Sequence, residues 1–136
     1  MDRKLQLLGI AKKAGMLAVG GDDVSVAARN EKARLIISAN DASEGSVRRA
    51  RENAKSYGAV HIRIPYSKFE IGNITRRGSP GTLAILNEGL AARFLKSLAE
   101  DQPEIYGEAA ETMAEEARAA TEMKKKTHHG KRRTAI

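Results

Sequence analysis

The sequence predicts an α/β fold, a three-layer α/β/α sandwich with helices on both faces of a mixed or mainly parallel four-stranded sheet. Two observations carry this. Four apolar runs of strand length (LAV at 17–19, RLIISA at 34–39, AVHIRI at 59–64, TLAIL at 82–86) alternate with amphipathic stretches of helical length. The alternation, αβαβαβαβα, repeats at short spacing, as expected where helices and strands pack in layers around one core.

Residues 2–14 read as a helix. Asp2 suits its N-terminus, Leu5, Leu8 and Ala11 or Lys12 recur at helical spacing, and Lys12 and Lys13 fall in the last turn before Gly15. LAV is a short strand and Gly20-Gly21 a turn. A second helix spans about 22–32, with Val24, Ala27 and Ala28 as its apolar stripe and Val26 at the margin. Asp22 or Asp23 is expected to cap its first N–H groups. The run 34–39 is apolar and β-branched without strict alternation, which reads as a strand buried on both faces.

Asn40 to Ser43 form a loop ending in a cap. A helix follows at 44–57, with Val47, Ala50 or Arg51, and Ala54 on one side and Arg48, Arg49 and Lys55 among the rest. Gly58 stops it. AVHIRI alternates apolar and polar, so it reads as half-exposed, and Pro65 ends it. Ser67 caps a short helix through Phe69, Ile71 and Gly72. TRRGSPG, 75–81, is a loop. After the fourth strand, Asn87 caps a closing helix at 88–99 that buries Leu90, Phe94, Leu95 and Leu98.

These elements place one domain in residues 1–100. Residues 101–136 read as a charged, mostly disordered, flexible tail with an acidic helix at most over 107–123, because the apolar face there is thin. Within the tail seven acids balance seven bases, so the net charge of +7 belongs to residues 1–100. A basic folded domain attracts polyanions and gains by releasing their counterions. The basic end KKKTHHGKRR, 124–133, is expected to be mobile and to add nonspecific attraction to RNA.

The 136 residues include no cysteine, which excludes disulfides and thiolate chemistry. No stretch is long and apolar enough to suggest a membrane span, and no leader is evident, so the expectation is a cytoplasmic protein with no membrane partner. There is no GxxxxGK[ST], no GxSxG and no nucleophile paired with a base. His61 stands alone in a strand, and His128-His129 lack a third ligand at metal spacing. No catalytic residue, metal or cofactor is expected.

Three stretches carry a resemblance: LLGIAKKAGMLAVGGDDV, RNEKARLIISANDAS and GTLAILNEGLAARF, together covering roughly residues 4–97. With them the chain resembles the L-seven-Ae and L-thirty-e superfamily of small ribosomal and RNA-binding proteins, within it the bacterial YlxQ-like branch. The resemblance implies the same three-layer order and a structured-RNA partner, ribosomal or containing a kink-turn, bound as a ribonucleoprotein in translation. It implies a site at the start of the second helix, where the family places Gly-x-Asn-Glu with a Lys one turn later, and in a loop before the last strand. By position, Gly20 (or, shifted by one, Gly21) matches the Gly, Asp22 the Asn, Asp23 the Glu and Val26 the Lys. Asp for Asn removes an amide donor, and Val for Lys removes a phosphate contact. Arg76, Arg77, Gly78 and Ser79 match the closing loop.

The residue types suit that role. A helix start offers unpaired N–H groups and partial positive charge to a phosphate or a base edge. A carboxylate there accepts from base amino groups and repels phosphate, so Asp22 and Asp23 should face bases and, being adjacent, point to different sides. Arginine forks suit phosphate oxygens and stack on unpaired bases. The plain alternatives are a helix cap, a dipole-friendly surface acid and a solubilising loop tip. Arg48, Arg49 and Arg51 read better as a solvated helix face. The functional alternative is a protein-interaction module that keeps the fold without specific RNA binding. A monomer is favoured.

Overall fold

The computed structural model describes residues 2–134, with side chains as far as Lys125. The elements run α1 Arg3–Lys13, β1 Leu17–Val19, α2 Gly21–Arg29, β2 Leu35–Ser38, α3 Glu44–Tyr57, β3 Val60–Arg63, α4 Lys68–Thr75, β4 Thr82–Ile85, α5 Glu88–Asp101 and α6 Pro103–Thr134. The strands form one sheet in the order β1-β4-β2-β3. β4 pairs antiparallel with both β1 and β2, and β2 pairs parallel with β3. The sheet is therefore mixed, and the expected αβαβαβαβα order holds through α5.

Alternation along the central strands divides the core between the two faces. Leu35 and Ile37 of β2, Leu83 and Ile85 of β4 and Val19 of β1 pack with Leu8 of α1, Ile71 of α4 and Phe94, Leu95 and Leu98 of α5. Ile36 and Ala84 face the other way, onto Val24, Ala27 and Ala28 of α2 and Ala50 and Ala54 of α3. All four residues of β2 are buried, as its unbroken apolar run predicts. β1 and β3 are the edge strands, and in β3 Ile62 is buried and Arg63 exposed.

The small residues on α2 and α3 let both helices lie close to the sheet, and Asn53 of α3 donates to Ser25 Oγ of α2 at 2.9 Å. Side chains close four of the first five helices. Asp2, Ser43, Ser67 and Asn87 accept from backbone N–H groups of α1, α3, α4 and α5, and at α4 Glu70 completes a capping box. α4 runs to Thr75, three residues beyond Gly72, so the loop before β4 opens at Arg76.

The last helix continues the packing past residue 100. α6 begins at Pro103, and Tyr106 and Met113 are buried in the core, with Ala109 and Ala110 packed against it. The Tyr106 hydroxyl donates to Arg63 O of β3 at 2.7 Å. Positions 106, 109, 110 and 113 form one helical stripe that stops after Met113. Averaged over 107–123 that stripe is diluted, so the segment reads as marginal. From residue 126 onward the basic run lies outside the residues whose side chains are described.

Candidate nucleic-acid interface

Of the first five helices, α2 is the one without a side-chain cap. Its N-cap is Gly20, at φ 94 and ψ 155, a conformation that glycine adopts and other residues resist. Gly20 N donates to Thr82 O of β4 at 3.0 Å, and Val24 N to Gly20 O at 2.9 Å. A Cβ on Gly21 would stand 3.2 Å from Arg49 Nη1. The Gly-Gly turn is thus set by the path of the chain, and it leaves the first N–H groups of α2 without a side-chain acceptor.

Asp22 and Asp23 do not cap α2, contrary to the expectation for one of them. They lie inside its first turn and diverge. Asp22 Oδ1 accepts from Arg49 Nη2 of α3 at 3.2 Å, and Asp23 Oδ2 from Arg77 Nη2 of the α4–β4 loop at 3.4 Å. The Asp22 side chain is 94% exposed and the Asp23 side chain 59%, so each pair is a weak surface contact. Val26 is 46% exposed, leaving an apolar spot one turn along the same helix.

The loop reaches this place because it is held at both ends. Arg76 ends α4 in the left-handed conformation, φ 57, with its N–H on Gly72 O at 2.7 Å. The chain then folds back so closely that a Cβ on Gly72 would come within 1.7 Å of Gly78 O. Gly78 and Ser79 are exposed at the tip, and Gly81 O accepts from Ala39 N at 2.9 Å. Gly20, Gly21, Asp22 and Asp23 are therefore joined to Arg77 across one exposed surface. Arg76 turns the other way, toward α1.

Arg49, expected as part of a solvated helix face, is the α3 residue that meets the start of α2. The stripe Val47, Ala50, Ala54 shows which side of α3 is buried, but not which flank meets α2. His61 lies in β3, alongside β2. Its Nε2 lies 2.8 Å from Ser38 Oγ, and burial, aided by Arg51 and Arg63, holds its pKa below the usual histidine value. Among the described residues no group of three His, Asp or Glu is placed to hold a metal ion. No helix of the described residues is long and apolar enough to cross a membrane.

The fold and this surface define a class: a small α/β sandwich that presents an uncapped helix start beside an arginine loop at one end of its sheet. Comparison with known proteins makes the class specific. No protein-family model matches the chain. RNA-binding protein YlxQ of Enterococcus faecium is 34% identical over 92 residues, which span 67% of this chain and 86% of that protein. RNA-binding protein YlxQ of Bacillus subtilis (strain 168) is 26% identical over 96 residues, spanning 68% of this chain and 91% of that protein. A protein of unknown function from Bacillus halodurans shares the fold at a TM-score of 0.63 and 20% identity, over 69% of this chain and 94% of that one. The chain belongs to the YlxQ family.

Proposed function

We propose that this chain binds structured RNA, docking a bent or internal-loop element such as a kink-turn on the start of α2 and closing over it with the loop at 76–81. The observation that carries this reading is the convergence of Asp23 and Arg77 at a helix start that no side chain caps. Open N–H groups and an arginine fork then face the same ligand. The names of its relatives support the same partner. Asp22 and Asp23 would accept from base amino groups, while Arg49 and Arg77 would exchange their carboxylates for phosphate oxygens. The role is binding, not catalysis, in the cytoplasm and in association with the translation machinery.

A gel-shift series on the full chain tests this. A kink-turn RNA should bind more tightly than a straight duplex, with affinity falling steeply as salt rises. Absence of binding at low ionic strength would sink the reading. A second reading, a protein-interaction module on the same fold, is favoured by the exposed Val26 and by the carboxylate on each arginine beside α2. Under it, Arg77→Ala would leave RNA affinity unchanged.

A further inference from the structure

Arg76 and Arg77 are consecutive, yet they serve different surfaces. Arg77 reaches the start of α2, while Arg76 lines an open cavity of about 600 Å³ between α1 and α4. The floor of this groove is aliphatic, from Ile10 and Ile74, and Ile10, in the last turn of α1, is 51% exposed. Its rim is cationic. Lys12 Nζ donates to Thr75 O and so ties α1 to the end of α4, while Lys13 and Arg76 carry no ion pair among the described residues. No acid lines the groove. At the start of α2 both arginines are held by carboxylates, whereas Lys13 and Arg76 at the groove are not.

The backbone adds an independent observation. Arg76 occupies a left-handed helix-ending position, which glycine takes without strain. A strained arginine at such a point, directed over an apolar floor, is the kind of outlier that marks a functional position.

We propose that the α1–α4 groove receives one unstacked nucleotide of the RNA that docks at α2. Its base lies against Ile10 and Ile74, and its flanking phosphates meet Lys13 and Arg76. An apolar floor with a cationic, acid-free rim matches a nucleotide, which has a flat face and anionic edges. The loop that supplies Arg77 to one surface supplies Arg76 to the other, so a single strand can pass between them. This inference rests on the RNA-binding reading.

The test uses the full chain and three RNA hairpins: one with an internal loop of unpaired nucleotides, the same hairpin with abasic sites at those positions, and a fully paired one. The wild type should prefer the first. Ile10→Ser, at an exposed site with no change of charge, should weaken that binding by about three- to tenfold and erase the preference over the abasic hairpin. Its salt dependence should stay as in the wild type, whereas Arg76→Gly should lower the salt slope by about one. If the wild type binds RNA but does not distinguish the first two hairpins, or if Ile10→Ser binds as the wild type does, the groove proposal is overturned and the RNA reading stands. If the wild type binds none of the three at low salt, both fall.

Discussion

Asp23 and Arg77 are 54 positions apart in the chain, and their side chains meet at 3.4 Å across the junction of α2 and the α4–β4 loop. The pair contributes little to folding, because both partners are more than half exposed and such contacts give about 0–1 kcal/mol. Its interest lies in what it withholds. While the carboxylate holds it, the Arg77 guanidinium is only partly available to phosphate.

Asp23→Asn should therefore separate stability from binding. The urea midpoint is expected to move little, by less than about 1 kcal/mol in free energy. RNA affinity at low salt should rise about threefold as Arg77 is released, since the Asn amide oxygen still accepts from a base amino group, and the gain should fade as salt screens it. Arg77→Ala should do the reverse. Gel shifts at two salt concentrations, beside urea melts of the same proteins, check both.

The loop offers a pair of glycine exchanges with opposite signs. Gly72→Ala drives a Cβ into Gly78 O, a backbone atom that can give way only if the loop opens. It should destabilise the protein by about 3 kcal/mol and expose the loop to protease. Arg76→Gly relieves a left-handed arginine and should stabilise by about 0.5–1 kcal/mol while RNA binding weakens. A stabilised protein that binds worse would show that the arginine is retained for its ligand.

Acid should weaken the fold through His61. Its folded pKa lies below the unfolded value of 6.5, so the unfolded chain takes up the proton first. The stability this site confers is complete above about pH 6.5 and is lost as the pH falls toward the lowered folded value. His61→Gln keeps a polar partner near Ser38 Oγ and should flatten the fall in urea stability between pH 7 and pH 5 relative to the wild type.

Met113 tests whether α6 belongs to the domain. The side chain is 0% exposed, and Met113→Ala should cost about 2–5 kcal/mol, seen as a lower urea midpoint for the whole cooperative transition. If the domain ended near residue 100, the substitution would change nothing in that transition.

The elements that carry their own punctuation were the ones legible in the sequence. Ser43, Ser67 and Asn87 stand as caps where expected, and the unbroken apolar run of β2 marks a central strand. The two strands that flank β4, and the helix that Arg49 faces, are decided by pairing between distant segments, for which no local pattern speaks. Asp22 and Asp23 misled for a related reason. An acid near a helix start is ordinarily a cap, but here the Gly20 turn moves the boundary forward and leaves both acids inside the helix. The buried stripe of α6 was lost to its neighbours, since Tyr106 and Met113 supply the larger contacts in an otherwise alanine-rich surface.

The amide of Gly20 is bonded to Thr82 O, and Val19 stands opposite Leu83 in the register of β1 with β4. The approach to α2 is thereby fixed by main-chain atoms alone, next to the strand that the arginine loop feeds. Side chains at 22, 23, 26 and 77 hang from this frame without supporting it. A lineage could exchange them one at a time, trading one RNA for another or RNA for a protein, while the folded platform passed through each step intact.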